Sequence, residues 1–459
     1  MAEVAEAQDV RDEDGDMRSE FVNAVIAAIQ AEDPKAARKL TRELHEADLA
    51  DLIELLSSDS RVKLVHLLGR SFDVEALPEL DEAVRDDLME ALPNHVIAAA
   101  IRRLDTDDAL YLIENLDETD RQEILGKLPQ VDREALRRAL DFPEGAAGRL
   151  MKTEFVAIPA FWSVGHTIDY MRVTRELPDE FVEVYVIDPA FHLIGSVPLS
   201  RILRSRREIA VSDLMETDHT VFKVTDDEEE VAYKFAQYNL VSAAVTDDEG
   251  RLVGMLMVDD IVEVMHEEAE EDMLRLGGVG DEEITDTVWS TTKSRFSWLL
   301  LNLATAVLAS WVISWFDASI DQMVALAILM PIVASMGGNA GTQTMTVAVR
   351  ALATRDLGPV NAVRVVVRES AVGLINGLLF ALLMGAFAWW WFGLGGLGLV
   401  IGAAMVINLM AAALAGILVP LALDALEIDP AVASAVFVTT VTDVVGFFAF
   451  LGLAALWLL

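Results

Sequence analysis

The sequence predicts a multidomain membrane protein, in which an α-helical solenoid, an α/β domain and a connecting helix precede five transmembrane helices. Three patterns predict this order. Leucine recurs every twelve residues in the first third of the chain, and apolar β-branched runs alternate with short helical stretches over 149–266. Several apolar segments long enough to cross a bilayer follow position 296. With 459 residues, 53% of them hydrophobic, the chain has room for several domains.

The negative charge is concentrated before the apolar segments. The formal net charge is −40, but residues 293–459 contain only eight acids and six bases, which leaves 67 acids and 29 bases in residues 1–292. Such a field repels nucleic acid and attracts cations, so we expect cations as partners and no nucleic acid. Salt adaptation or simple solubility explains part of the same acidity. Cysteine is absent, which excludes disulfides and thiolate metal sites.

The N-terminal segment MAEVAEAQDVRDEDGD lacks the basic and apolar regions of a signal peptide. We therefore expect a disordered acidic tail over 1–20 and a cytosolic location for the soluble part.

A twelve-residue repeat predicts a helical superhelical N domain over 21–141. Each unit reads as a short helix and a tight turn, because Asp or Pro follows most of the repeated leucines and suits a helix start. The units would stack as a solenoid. The repeated leucines are Leu44, Leu56, Leu68, Leu80, Leu92, Leu104, Leu116, Leu128 and Leu140, and the apolar residues eight positions later are Leu52, Leu64, Ala76, Leu88, Ala100, Leu112, Ile124 and Leu136.

Two similar halves follow, over 142–207 and 208–268. GRLMKTEFVAIP (148–159) echoes SDLMETDHTVFKV (212–224), and both halves carry a Leu-Ile/Val-Gly turn, at 193–195 and 252–254. This order of strand, helix, two strands and helix resembles a tandem pair of CBS modules. Nucleotide-binding CBS modules pair a hydroxyl with an acid, whereas the corresponding steps here are Ser200-Arg201 and Asp259-Asp260. ATP binding is therefore doubtful.

Residues 259–272, DDIVEVMHEEAEED, contain many acids and no Lys or Arg. Their apolar positions indicate a helix, on which acids three and four apart repel one another. The segment is either a solvated acidic helix or a site for divalent ions. It leads into a predicted linking helix over 269–292.

The transmembrane domain is expected over 293–459, with spans near 296–316, 322–349, 371–392, 398–423 and 431–457. Basic residues precede the first span and follow the second, at 350–368. The positive-inside rule then places the N-terminal domains in the cytosol and, with five spans in the plasma membrane, the C-terminus outside.

Asp443 is the one charge between Asp429 and the C-terminus, within the last span. An ionisable group at this depth costs about 2.5–3.5 kcal/mol and is a functional candidate by default. Thr439 lies one turn earlier on the same face. A hydrogen-bonded structural Asp is the alternative. A second anomaly is GGNAGTQ in the second span, where Gly337, Gly338, Asn339, Gly341 and Gln343 are candidates to line a pore, or the glycines serve helix packing.

GGNAGTQ followed by RALATRDL (350–357), with TTVTDVVG (439–446), resembles the MgtE family of magnesium channels. The resemblance implies a homodimer with a pore between subunits, an ion-binding aspartate at Asp443, and Mg²⁺ as both substrate and regulator. It also implies cytosolic regulatory ligands, which would close the pore when Mg²⁺ is plentiful. These are Asp227, Asp260, Glu263, Glu268, Glu271, Asp272 and Asp429. Asn239 departs from the pattern, which has an acid there, and weakens one such site.

We therefore expect a magnesium-selective channel in contact with membrane lipid, and not an enzyme. An ion-coupled carrier for another dication such as Co²⁺ or Mn²⁺ is the alternative within transport, and a CBS-regulated sensor without transport is a third. An intramembrane aspartyl protease needs two carboxylates that share a proton, whereas one chain supplies one at mid-membrane.

Overall fold

The computed structural model describes residues 10–12, 15–114, 116–178, 180–279, 288–358, 360–426 and 428–458. The chain forms two compact units, Met1–His266 and Glu267–Leu459. The first contains the solenoid and the α/β domain, and the second contains the apolar helices.

The solenoid begins with α1 (Ser19–Gln30) and α2 (Pro34–Thr41), and the repeat proper follows. Its helices are α3 (Glu46–Glu54), α4 (Ser58–Leu68), α5 (Glu82–Ala91), α6 (Asn94–Ile101), α7 (Thr106–Ile113), α8 (Glu118–Lys127) and α9 (Gln130–Leu140). Apart from one gap, the first residues of these helices lie twelve positions apart. The apolar residue eight positions after each repeated leucine is at most 5% exposed in every unit, because all of them face one continuous core. The predicted helical superhelix is confirmed.

One repeat unit breaks the pattern. Where a helix is due near position 70, the chain forms two short 3₁₀ turns, Gly69–Ser71 and Val74–Ala76. Gly69 has φ +55° and ends α4, and Pro78 limits helix formation after the second turn. Ala76 nevertheless remains fully buried, so the core register continues through the irregular unit.

The predicted disordered tail over 1–20 is wrong for its described part. Arg11 donates from Nε to Asp48 Oδ1 at 2.7 Å and pairs also with Asp51, and a short bridge joins Arg11 to Met17. Asp48 and Asp51 are i, i+3 neighbours on α3, so two carboxylates fix one guanidinium. Helix α1 then starts at Ser19. Residues 1–9 and 13–14 lie outside the described residues.

The α/β domain repeats one topology twice. After α10 (Ala147–Leu150), the first half has β1 (Ala157–Pro159), α11 (Val164–Val173), β2 (Glu183–Ile187), β3 (Leu193–Pro198) and α12 (Leu199–Arg204). The second has β4 (Val221–Lys223), α13 (Glu228–Tyr238), β5 (Ser242–Thr246), β6 (Leu252–Met257) and α14 (Val258–Leu276). In each half the first two strands pair in parallel and the last two pair antiparallel, with a register shift at the same place.

The repeated glycine of the two halves has one structural cause. A Cβ on Gly195 would lie 2.7 Å from the backbone oxygen of Glu216, and one on Gly254 would lie 2.9 Å from that of Lys152. In the first half Glu216 forms an isolated β-bridge with Ser196 of β3, and in the second half Lys152 forms one with Met255 of β6. The glycine therefore permits a close backbone approach.

The predicted linking helix over 269–292 is not continuous. Helix α14 ends at Leu276, and Gly278 has φ +71° while the Val279 N–H donates to the Leu274 carbonyl. This is a Schellman-type end, which glycine allows. Residues 280–287 lie outside the described residues, and the next helix starts at Val288.

Within its described residues, the second unit contains five helices that are long and apolar enough to cross a membrane, as predicted. They are α15 (Val288–Ser314), α17 (Ala325–Ala353), α18 (Ala362–Phe392), α19 (Gly395–Asp424) and α20 (Pro430–Trp457), with a short α16 (Asp317–Gln322). Helix α18 begins nine residues before the predicted span, and the side chain of its N-cap residue Asn361 bonds Gly358 N and Asp356 O in the preceding turn. Glu369 therefore lies within α18.

Helix α19 is the core of this unit and packs against α17, α18 and α20. Small residues allow the close approach. A Cβ on Gly398 of α19 would lie 2.5 Å from the Gly385 oxygen of α18, and one on Gly416 would lie 2.8 Å from the Gly341 oxygen of α17. Such crossings are typical of helices that associate in lipid.

Candidate functional site in the membrane helices

Asp443 lies in the middle of α20 and is only partly buried. Among the described residues, its carboxylate has no hydrogen-bond or ion-pair partner. The alternative of a structural Asp, bonded to Asn or Thr, therefore finds no support within the described chain. A lone carboxylate in an apolar helix attracts a cation.

Three threonines surround Asp443 on α20, and all bond their own helix. The Thr439 hydroxyl donates to the Ala435 carbonyl at 2.9 Å, and Thr440 donates to Val436 at 2.6 Å. Thr442 donates to Thr439 at 2.9 Å. A hydroxyl whose proton is used in this way offers its lone pairs as acceptors. Thr439, one turn from Asp443, can therefore accept from the water shell of a cation.

Two glycines of the GGNAGTQ segment serve helix packing. Gly337 and Gly341 are buried on α17. A Cβ on Gly337 would lie 2.3 Å from Asn408 Nδ2, and one on Gly341 would lie 2.6 Å from Val438 Cγ1 of α20. Gly338 has open space at its Cβ position. The packing alternative is what the structure shows for Gly337 and Gly341, and their role in a pore stays a prediction.

Asn408 of α19 is a site residue that the sequence analysis missed. It is 0% exposed, and its Nδ2 donates to the Val333 carbonyl of α17 at 2.8 Å. It also touches Gly446 of α20, whose Cβ would lie 2.8 Å from Nδ2. Asn408 thus joins three helices and holds the segment that follows Asp443. The signal was available, since Asn408 is the one polar side chain in the apolar stretch 395–423.

Asn339 and Gln343 lie on a different face of α17 from Gly337 and Gly341. Both are exposed at the mouth of a cleft of about 320 Å³ between α17, α18 and α19. Glu369 and Asn376 of α18 also line this cleft. Asp443 is not among its lining residues, so the structure separates Asn339 and Gln343 from the carboxylate with which they were grouped.

Candidate regulatory groups

A lysine lies among the acids predicted to bind a regulatory cation. Lys152 Nζ is 3.1 Å from Asp260 Oδ1, 3.8 Å from Asp107 and Asp259, and 3.9 Å from Asp105. Its side chain is 12% exposed. The ammonium thus joins α7 of the solenoid to the start of α14. The sequence alone does not predict this contact, because Lys152 and its carboxylate partners are far apart in the chain.

These acids hold protons more tightly than usual. Burial raises the pKa of Asp260 to about 6, although Lys152 opposes the shift, and Asp108 is raised to about 6 for the same reasons. Burial also raises the pKa of Asp107 well above its usual value. Asp107 Oδ1 and Asp260 Oδ2 are buried without a hydrogen-bond partner in the described chain. One ammonium leaves this group of carboxylates undercompensated.

Two other predicted ligands meet around an arginine. Arg275 Nη1 lies 2.8 Å from Asp429 Oδ2, and Arg275 also pairs with Glu271. Asp429 accepts from Ala431 N and so caps α20. Burial, and then the charge of Asp429, raise the pKa of Asp272. The end of the acidic helix is therefore held to the start of α20.

Asp227 and Asn239 occupy the two ends of α13. Asp227 accepts from Glu229 N and Glu230 N as the N-cap, and Asn239 adopts the left-handed conformation of a C-cap. The C-cap explains the departure at Asn239 structurally. Glu263 is exposed and Glu268 is partly buried on α14. In the described part of the chain, no group of three or more Asp, Glu or His is arranged to hold a metal ion, so these ligands stay predictions.

Comparison with known proteins

Long apolar helices that could cross a membrane follow a solenoid and a tandem α/β domain, which is the plan of a multi-pass membrane protein with soluble N-terminal domains. Family models agree with each part: the divalent cation transporter model MgtE matches residues 330–453, the MgtE intracellular N domain matches 44–145, and the CBS domain matches 211–267. The chain belongs to the MgtE family, because a relative of that name is 30% identical over 96% of this chain.

The relatives extend over nearly the whole chain. "Magnesium transporter MgtE" of Thermus thermophilus is 30% identical over 451 residues, which cover 96% of this chain and 99% of that protein. The protein of the same name from Bacillus subtilis is 28% identical over 95% of this chain and 97% of its own length. A solved structure described as the cytosolic domain of the Mg²⁺ channel MgtE in complex with ATP is 26% identical, with a TM-score of 0.50, and covers 53% of this chain and 99% of that one. The N-terminal domains are thus intracellular parts of a multi-pass membrane protein.

Proposed function

We propose that this protein is a homodimeric, magnesium-selective channel that admits Mg²⁺ through the plasma membrane and closes when cytosolic Mg²⁺ is abundant. The names of the full-length relatives support transport of Mg²⁺. The observation that carries the proposal in this chain is Asp443, a half-buried carboxylate without a described partner in the last membrane helix.

An incomplete polar surface supports the dimer. Ser335, Thr342 and Thr346 lie on α17 at helical spacing, and all are exposed. The hydroxyls of Thr342 and Thr346 donate to carbonyls of their own helix, but lipid offers no donor to their lone pairs, so these groups belong against protein or water. A second copy that faces α17 and α20 would enclose a wet path between them. Two Asp443 carboxylates would then balance one dication, with Thr439 close to both.

The ion would keep its water. Mg²⁺ loses its hydration shell reluctantly, so a suitable path offers acceptors for those waters and a negative field. Asp443 supplies the field, and the back-bonded threonine hydroxyls supply acceptors. The absence of imidazole from the membrane helices fits a hard cation better than a soft one.

Gating would use the undercompensated acids of the soluble part. When cytosolic Mg²⁺ is low, the carboxylates along α14 repel one another, and those around Lys152 are held together by one ammonium alone. Bound Mg²⁺ would neutralise them and draw the domains together, which closes the path. Asp227, Asp260, Glu263, Glu268, Glu271, Asp272 and Asp429 are the proposed ligands.

Flux into liposomes that contain the pure protein tests the proposal. Mg²⁺ should enter down its own gradient, without a proton or sodium gradient, and raised Mg²⁺ on the side of the soluble domains should reduce entry. Flux that requires a proton or sodium gradient would favour the coupled carrier for dications such as Co²⁺ or Mn²⁺. No flux at all would favour the CBS-regulated sensor.

A further inference from the structure

The cleft between α17, α18 and α19 contains more polar chemistry than membrane packing explains. The residues of α17 that line the cleft include Val347, Gln343, Asn339 and Met336, and those of α18 include Glu369, Gly373, Asn376 and Phe380. Each series spans twelve residues, which are eleven steps along the helix, so the cleft is about 16 Å long at 1.5 Å per residue. One carboxylate and three amides therefore follow one another along a cleft between the helices.

Glu369 is the charged group of this slot. Its side chain is 12% exposed, and Arg368 donates to Oε1 from Nη2 at 2.8 Å and from Nε at 3.1 Å. Among the described residues, Oε2 has no partner. Arg368 itself is 61% exposed and does not line the cleft. The lining contains no Lys, Arg or His within the described chain, so Glu369 is the one charged lining residue, and its countercharge, Arg368, lies outside the cleft and contacts Oε1 only.

We propose that this cleft is a second cation site, in which Glu369 holds a divalent cation through the ion's hydration shell. The side-chain oxygens of Asn339, Gln343 and Asn376 would accept from the ion's waters. Six waters occupy about 180 Å³ in the liquid, which fits within the cleft. The ion would load here before or after Asp443, which lines a different surface. The inference rests on the proposed function, since it assumes that dications cross this unit.

The test is Mg²⁺ flux through full-length protein in liposomes, measured against Mg²⁺ concentration. Glu369→Gln should raise the half-saturating concentration about tenfold and keep the maximal rate, because one unit charge near a dication is lost. Glu369→Asp should restore most of the affinity. Arg368→Gln should shift the curve the other way, because it frees Oε1. Asp317→Asn is the matched control, since it removes an exposed carboxylate outside the cleft.

Several outcomes would overturn the inference. These are an unchanged curve for Glu369→Gln, an equal shift in the Asp317→Asn control, or a shift in the same direction for Arg368→Gln, which would mean that the ion pair only holds α18 in place. Flux absent from the wild-type protein would refute the proposed function instead, so the two failures are distinguishable.

Direct binding gives an independent readout. Crystals of the full-length protein grown with Mn²⁺ should show an anomalous peak in the cleft, and crystals of Glu369→Gln should lack that peak alone. Wild-type crystals without a peak at saturating Mn²⁺ would contradict the proposal.

Discussion

Lys152 is expected to hold the solenoid to the second half of the α/β domain in the absence of Mg²⁺. The change Lys152→Met keeps the length of the side chain and removes the ammonium that lies 3.1 Å from Asp260 and 3.8 Å from Asp107. Breaking a buried ion pair on one side costs about 3–5 kcal/mol. The lower end of this energy range is expected, because Lys152 has one close carboxylate contact and its side chain is not fully buried. About 3 kcal/mol corresponds to a factor of about 150 in the population of the opened form.

Limited proteolysis of the full-length protein around residues 141–155 measures that population, because cleavage tracks the opened form when opening is fast. Without Mg²⁺, Lys152→Met should be cleaved about a hundredfold faster than the wild type. Millimolar Mg²⁺ should slow cleavage again, because a dication replaces the lost ammonium. The matched control is Lys127→Met, whose pair with Glu123 is exposed and contributes little. Equal cleavage of the two variants would refute the assigned role of Lys152, and cleavage that ignores Mg²⁺ would refute a cation site beside it.

Three further predictions follow from the same structure. Because the pKa values of Asp108 and Asp260 are raised to about 6, the folded form binds extra protons between about pH 4 and 6. The free energy of unfolding of this unit should therefore fall as pH rises through that window. Urea titrations at fixed ionic strength measure this change, and a free energy of unfolding that rises instead would contradict the prediction. Saturable ATP binding by the full-length protein at sub-millimolar concentration, measured by calorimetry, is not expected, since neither half pairs a hydroxyl with an acid at the required step. Asn408→Leu should lower the melting temperature of the membrane unit, because it breaks the bond to Val333 and crowds Gly337 and Gly446, and an unchanged melting temperature would contradict that role.

The solenoid and the membrane helices were predictable because local patterns encode them. A buried residue eight positions after each leucine repeats along the chain, and each membrane helix is long and apolar. The sequence patterns did not predict two helix boundaries. Gly277 and Gly278 end α14, although the acidic pattern suggested a continuous helix, and α18 begins at Ala362, earlier than the apolar pattern predicted.

The sequence predicted the charged residue of the candidate site, but it did not predict the contacts between residues that are distant in the chain. Asp443 is visible in the sequence as a lone carboxylate, and Asn408 could have been found in the same way. Lys152 and Arg275 could not, because each joins acids that are distant in sequence. The separate faces of α17 also needed coordinates. Spacing alone groups Gly337, Asn339 and Gln343 as one candidate pore lining. In the structure Gly337 packs against Asn408, whereas Asn339 and Gln343 line a cleft.

The central claim is that Asp443 supplies the field that draws Mg²⁺ through the membrane. Asp443→Asn keeps the size of the side chain and removes its charge. At about 4.5 Å, the distance of an ion behind one water, the lost attraction for a dication is about 2 kcal/mol in a wet pore and more where water is excluded. Folding should be unharmed, because a lone charge is costly in the ion-free bundle.

Mg²⁺ flux through correctly assembled Asp443→Asn protein in liposomes is the most direct measurement, with Asp443→Glu and the exposed-site variant Asp317→Asn alongside. We expect no measurable flux for Asp443→Asn, partial flux with altered selectivity for Asp443→Glu, and wild-type flux for Asp317→Asn. Wild-type flux in the Asp443→Asn protein would contradict the account and leave the GGNAGTQ segment as the better candidate for the filter.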